Sequence, residues 1–205
     1  DGELEISEAG VFSEYLNKPE LTEEAFTPDG WYKTGDFVVQ YKNGYYRLVE
    51  RKKAIICTNI GKNISPAKLE NFFSGSSYID QVFFIGDERN FISALIVPYY
   101  NYFIDLYDKE GVKFNRSSLR FDDSSGESVC VQVGEDFTGN SRLRQIIEDE
   151  VYRVNRELES FEKIRQYTIV TERFTEENGL ITPSHKIKKR AVLERFSREI
   201  EKMYS

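Results

Sequence analysis

The sequence predicts an α+β protein: a small mixed sheet with flanking helices, preceded by a short β-rich segment. Three observations lead there. Phe37-Val38-Val39-Gln40-Tyr41 and Tyr45-Tyr46-Arg47-Leu48-Val49 are β-branched or aromatic runs joined through Asn43-Gly44, a pair that tolerates the positive φ angles of a tight hairpin turn. Residues 81–85 and 91–97 read as two further strands with residues 86–90 as the turn between them. From 141 to 159 the apolar residues Leu143, Ile147, Val151, Val154 and Leu158 recur at steps of four, four, three and four, which places them on one stripe of an amphipathic helix.

The remaining elements follow in chain order. Gly2-Glu3-Leu4-Glu5-Ile6 alternates like a short half-buried strand, and the Glu-, Gly- and Pro-rich stretch behind it reads as loops and turns ending at Pro28-Asp29-Gly30. Residues 1–36 therefore read as the tail of something larger. After the hairpin, the charged run Glu50-Arg51-Lys52-Lys53 leads into a short strand, Ala54-Ile55-Ile56-Cys57, and a glycine-containing loop. Ser65-Pro66 then opens a helix to about residue 73, with serine at the cap and proline in the first turn. Residues 113–140 are dominated by Ser, Gly, Asp and Glu and interrupted by Val129-Cys130-Val131-Gln132-Val133, the pattern of a loop insertion with one strand. A last strand at 167–170 precedes the turn Glu177-Asn178-Gly179, and a final helix covers about 187–203 with Val192, Phe196 and Ile200 on one face. No internal repeat is present.

Composition narrows the function classes. With 205 residues the chain can bury one good core or two small ones, and 40% apolar with 31% charged residues is ordinary for a globular protein. A net charge of −7 argues against a nucleic-acid partner, because neutralising phosphates takes clustered Lys and Arg, and the one basic cluster spans residues 186–190. Cys57 and Cys130 lack metal-ligand spacing and the single histidine is His185, so neither a metal site nor a Cys/His nucleophile pair is expected. Both thiols are read as reduced. No apolar segment follows a basic start and no window approaches the roughly 18 apolar residues of a membrane span, so a cytoplasmic location is expected. The chain begins with Asp1 and not Met, and a fragment is the simpler reading.

Four short motifs carry candidate chemistry. Asp36 stands behind Gly35 where a loop gives way to a strand, and its two acceptor oxygens suit the two hydroxyls of a ribose; a turn aspartate capping the hairpin fits the tetrapeptide equally well. The run from Glu50 to Lys53 is, by itself, a solvated strand edge. Gly61 fits either a working loop or a plain strand-to-helix connection. Lys186 offers a flexible point charge able to bridge a carboxylate and a phosphate, and a basic cluster at a helix start is disfavoured by the macrodipole, which favours a ligand over a purely structural role. His185 reads as a loop side chain.

In order and spacing these residues are similar to the adenylate-forming enzymes, which include acyl-CoA synthetases, luciferases and peptide-synthetase adenylation domains. Tyr32-Lys33-Thr34-Gly35-Asp36 resembles their Tyr-(Arg/Lys)-Thr-Gly-Asp motif, and Asn17-Lys18-Pro19-Glu20, Ala25-Phe26 and Asp29-Gly30-Trp31 resemble the signature ahead of it. Glu50-Arg51-Lys52-Lys53 resembles the Asp-Arg-x-Lys segment joining the family's two domains, with Glu50 in place of the common Asp. Ile60-Gly61-Lys62-Asn63-Ile64-Ser65-Pro66 resembles the Gly-Gly-Lys-Asn-x-x-Pro loop of the long-chain acyl-CoA synthetases, with Ile60 replacing the first glycine. Glu177-Asn178-Gly179-Leu180-Ile181-Thr182-Pro183 and Pro183-Ser184-His185-Lys186 resemble the long-chain branch's Glu-Asn-Gly-Leu-Leu-Thr-Pro stretch and the family's C-terminal lysine motif.

The resemblance implies the C-terminal part of a long-chain fatty acid–CoA ligase. Residues 1–50 would end the large N-terminal adenylation domain, and 51–205 would be the mobile C-terminal lid, with an insertion at about 113–140. ATP and a fatty acid would form acyl-AMP, the lid would rotate, and CoA would take the acyl group, with Mg2+ accompanying the nucleotide. Lys186 is then the catalytic lysine of adenylation, Asp36 and Arg51 hold the ribose, Gly61 with Lys62 and Asn63 serves the CoA-binding loop, and Lys53 is the hinge. The implied partners are fatty acid, ATP, CoA and the missing N-terminal domain, whose Ser/Thr/Gly-rich phosphate loop has no match here, so the isolated chain is expected to be inactive. Long acyl substrates also leave room for peripheral contact at the inner membrane surface. The alternatives are the lid of a fatty acyl-AMP ligase or an aryl-CoA ligase, or a non-catalytic binding module derived from such a lid.

Overall fold

The computed structural model describes residues 2–7, 9–124 and 126–205. It divides into two compact units, one of residues 1–57 and 63–67 and one of residues 58–62 and 68–205. Both combine helices with small sheets, the α+β class expected.

The first unit holds β1 (Gly2–Ile6), α1 (Pro19–Ala25), β2 (Tyr32–Gln40) and β3 (Tyr46–Arg51), with the three strands antiparallel in the order β1-β2-β3. The hairpin turns at Asn43-Gly44 as predicted. Tyr41 O accepts the Gly44 N–H at 2.9 Å, and Tyr41 N–H donates to Tyr45 O at 2.8 Å. Only Gly44 takes a positive φ, 85°. The connection is thus a three-residue loop in which glycine supplies the left-handed residue. Helix α1 falls where turns alone were expected: Pro19 opens it, but no residue of it is buried, so no apolar stripe marked it. The same stretch packs a small aromatic cluster, with the Phe12 ring 5.0 Å from Tyr32 and 5.6 Å from Phe26. A short hairpin, β4 (Ile56–Cys57) with β5 (Asn63–Ile64), completes this unit and leads into α2 (Pro66–Phe73).

The second unit is built on β6 (Ile79–Ile85), β7 (Ile92–Pro98) and β10 (Ile164–Ile169), in the order β10-β7-β6. β6 runs antiparallel and β10 parallel to β7, which makes the sheet mixed. Every residue of central β7 is buried. Helix α5 (Ser141–Glu157) buries Leu143, Ile147, Val151 and Val154, the stripe read from the sequence, and Asn140 caps it by accepting the Arg142 N–H at 2.8 Å.

Two local expectations need correction, and one further helix stands where the sequence reading made no assignment. Helix α3 (Tyr100–Glu110) had no counterpart in the sequence reading, although Tyr100, Phe103 and Tyr107 bury one face and Gly111 ends it at φ 69°. Residues 113–140 are more than a loop with one strand: a 3-10 turn (Arg116–Ser118), the paired strands β8 (Arg120–Asp122) and β9 (Val129–Gln132), and α4 (Glu135–Thr138) lie there. The cause is aromatic packing, since the Phe137 ring lies 4.8 Å from Tyr107 and 5.0 Å from Phe114 and is fully buried. The last helix is two, α6 (Lys189–Arg195) and α7 (Ser197–Tyr204), broken at Phe196, whose buried ring sits 5.8 Å from Phe174. Among the described residues no helix is long and apolar enough to cross a membrane.

Candidate functional site

In the first unit the local fold brings Asp36 and Arg51 together. Asp36 lies inside β2, not at its start, because the strand begins at Tyr32. β1 and β2 slip in register there: Glu3 faces Phe37 while Glu5 faces Lys33, and Gly35 takes up the extra length at φ 72°. The bulge is held by Thr34 Oγ1 donating to Leu4 O at 2.7 Å, and by the Gly35 N–H donating to Glu3 Oε1 at 3.2 Å. Across the ladder Asp36 pairs with Arg51, and Nε of that arginine lies 2.7 Å from Asp36 Oδ1. The contact is an ion pair, and Oδ1 is a buried acceptor with no hydrogen-bond donor among the described residues. Such an atom calls for one, and a hydroxyl would serve.

Glu50, which stands where the resembled motif has Asp, has a structural task. Its Oε2 accepts from Ser65 Oγ at 2.8 Å and from the Ala67 N–H at 3.2 Å, placing a carboxylate at the first turn of α2. Lys53 follows in an exposed turn, with the Ala54 N–H on Arg51 O at 2.9 Å. Asn63 sits in β5, where its Oδ1 accepts from Cys57 Sγ at 3.3 Å.

Gly61 and Lys62 belong to the second unit, in a loop closed by Thr58. The Thr58 N–H donates to Lys62 O at 3.0 Å, its Oγ1 accepts the Lys62 N–H at 3.3 Å, and the Gly61 N–H returns to Thr58 O at 2.9 Å. Gly61 holds φ 73°, and a Cβ built on it would meet no atom within 4 Å, so its backbone faces open space. The Lys62 ammonium lies 5.1 Å from the Phe161 ring centroid. Thr58, almost fully buried, closes this loop, and its only mark in the sequence is a hydroxyl near a glycine turn.

Lys186 projects from a second loop of the same unit. Thr182 shapes it: its N–H donates to Lys186 O at 2.9 Å, its Oγ1 accepts the Lys186 N–H at 3.1 Å, and its carbonyl takes the His185 N–H at 2.8 Å. His185 adopts φ 58°, the left-handed bend that the turn requires, which fits its reading as a loop side chain. The basic cluster behind it is partly neutralised, since Lys189 pairs with Asp87 and Arg190 with Glu194. Lys186 is exposed, and its ammonium has no partner among the described residues. No hydrogen bond among the described residues joins the Lys186 loop to the Gly61 loop. Among the described residues no group of three or more His, Cys, Asp or Glu is placed to hold a metal ion.

A long-chain-fatty-acid–CoA ligase of Mycobacterium tuberculosis is 37% identical over 205 residues, covering 100% of this chain and 31% of that protein. Long-chain-fatty-acid–CoA ligase 5 of Mus musculus is 33% identical over 207 residues, with 28% of its length covered. The chain thus spans about a third of the curated relatives it matches. Among solved structures, the adenylation domain of a carboxylate reductase from Mycobacterium chelonae superposes with a TM-score of 0.70 at 27% identity, over 99% of this chain and 27% of that one. The A-PCP didomain of a carboxylic acid reductase from Segniliparus rugosus, solved with AMP, gives 0.70 at 26% identity, over 100% of this chain and 25% of that one. Residues 53–114 and 129–205 match the family of the AMP-binding enzyme C-terminal domain, and the chain belongs to that family.

Proposed function

We propose that the chain is the C-terminal part of a long-chain fatty acid–CoA ligase, with residues 1–50 ending its large domain and 51–205 forming the mobile lid. The observation that carries the reading is the Asp36–Arg51 pair, whose buried Oδ1 has no hydrogen-bond donor among the described residues while the Arg51 side chain is mostly exposed. A ribose hydroxyl would satisfy Oδ1, and Arg51 would hold the same sugar.

Lys186 fits adenylation because its loop presents an exposed, unpaired ammonium on a backbone fixed by Thr182. In that step a fatty-acid carboxylate oxygen bonds to the α-phosphorus of ATP and pyrophosphate leaves. The lysine charge offsets the negative charge building on the phosphoryl oxygens. In the second step the CoA thiol bonds to the acyl carbon and AMP leaves. Gly61 suits this step by bearing no side chain where a narrow pantetheine arm passes, and Lys62 and Asn63 flank it. Lys53, exposed in its turn, is the hinge at which the lid changes face. ATP and CoA are the cofactors and the N-terminal domain is the obligate partner; Mg2+ would ride on the nucleotide phosphates.

A second reading, loading of the acyl group onto a carrier domain, is favoured by the likeness to the A-PCP didomain. The test is ATP- and CoA-dependent acyl-CoA formation by the full-length protein across acids from acetate to oleate. Long acids reacting with free CoA support the ligase. Adenylate formation without thioester on free CoA supports carrier loading, and no reaction with any acid leaves only a binding module.

A further inference from the structure

One residue, Asn59, makes two hydrogen bonds that tie the Gly61 loop to the turn between β6 and β7. The Asn59 N–H donates to Arg89 O at 2.9 Å and Asn59 Nδ2 donates to Glu88 O at 2.7 Å. The receiving turn is braced. Glu88 holds φ 56°, a conformation that residues with side chains adopt at a cost, and the Arg89 N–H closes the turn on Gly86 O at 3.0 Å. The Arg89 guanidinium lies 4.6 Å from the Tyr204 ring centroid and pairs with Glu201, both on α7. The Tyr204 hydroxyl reaches Ile85 O at 3.0 Å and Phe91 O at 3.2 Å, the two ends of the same turn. The strain at Glu88 aims its carbonyl at a side chain that stands two residues before Gly61.

We infer that Asn59 is a positioning residue for the thioester-forming half-reaction, docking the 58–62 loop on the braced turn so that the Gly61 backbone is held where the CoA thiol arm must pass. This rests on the role given to Gly61 above. In that half-reaction a bond forms from sulfur to the acyl carbon, the bond from that carbon to the AMP phosphate oxygen breaks, AMP leaves with the electron pair, and the thiol proton passes to solvent. Asn59 touches none of these atoms and acts through the loop.

The test uses full-length protein carrying Asn59→Asp, Asn59→Ala or Asn59→Gln. Asp is nearly isosteric but cannot donate, so it removes the bond to Glu88 O while keeping the shape; Gln keeps the donor. Thioester formation from supplied acyl-AMP and CoA falls about threefold to tenfold in the Asp and Ala variants, as expected for one lost hydrogen bond. Acid-dependent ATP–pyrophosphate exchange stays at the wild-type rate, and Gln recovers part of the loss. Amide hydrogen exchange at Gly61 and Lys62 speeds up in the Asp variant while that at Lys186 does not. Variants that keep full thioester formation, or that lose both half-reactions together, overturn the inference. A wild type that forms no thioester at all overturns the functional reading first, and this inference with it.

Discussion

Replacing Lys68 by Met should destabilise the second unit by more than a surface helix substitution can. Lys68 sits in α2 and donates to both oxygens of Glu162, at 2.6 and 2.8 Å. The Glu162 side chain is 6% exposed and the Lys68 side chain 50% exposed. Removing the ammonium leaves a buried carboxylate that keeps the Glu159 N–H, at 3.3 Å, as a donor. Breaking a fully buried pair costs roughly 3–5 kcal/mol, and an exposed one contributes about 0–1 kcal/mol. Half exposure of the lysine puts this pair between them, at about 2 kcal/mol. For a chain of this size that is a fall in Tm of about 4–8 °C. Urea denaturation of the chain followed by circular dichroism reads it directly. Glu162→Gln combined with Lys68→Met removes the stranded charge, so the double variant should be more stable than the sum of the single losses by about 1 kcal/mol. A cost below about 0.5 kcal/mol for Lys68→Met, or strict additivity, would refute the reasoning. The neighbouring Phe161 ring meets Lys62 of the Gly61 loop, so under the proposed function the pair also steadies that loop.

Four further outcomes are expected. Gly61→Ala places a Cβ in open space at φ 73°, so the cost is backbone strain alone, about 1 kcal/mol by denaturation, and thioester formation should suffer more than adenylation. Burial pushes the Cys130 thiol up to about 11 from an ordinary 9.0, so iodoacetamide at pH 8 should label exposed Cys57 and spare Cys130 until the chain unfolds. The unfolded thiol ionises first, so Cys130 contributes stability that is intact below pH 9 and is lost as pH climbs from 9 to 11; Cys130→Ala should flatten that slope in a pH series of urea midpoints. Tyr107→Phe removes the buried hydroxyl bond to Phe137 O, 3.0 Å, and should cost about 1 kcal/mol and loosen the segment around α4 in hydrogen exchange.

Elements with a strong local signal were legible in advance. The α5 stripe and the β6–β7 pair follow from apolar periodicity, and the Asn43-Gly44 hairpin from turn chemistry that needs no tertiary help. Helix α1 was not legible because it buries nothing, and the structure in 113–140 was hidden because its apolar residues, Phe114 and Phe137 among them, are scattered through polar sequence and cohere only around Tyr107. The break at Phe196 has no Gly or Pro to announce it. At the candidate site, motif spacing pointed to Asp36, Arg51, Gly61 and Lys186. The roles of Glu50, Thr58, Thr182 and Asn59 depend on which carbonyls and amides face them in space, and no spacing rule encodes that.

The central claim is that Lys186 serves the first half-reaction and not the second. Lys186→Ala in the full-length protein is predicted to lower acid-dependent ATP–pyrophosphate exchange on the order of a hundredfold or more while leaving thioester formation from supplied acyl-AMP and CoA near the wild-type rate. Exchange at the wild-type rate, or equal loss of both half-reactions, would contradict it.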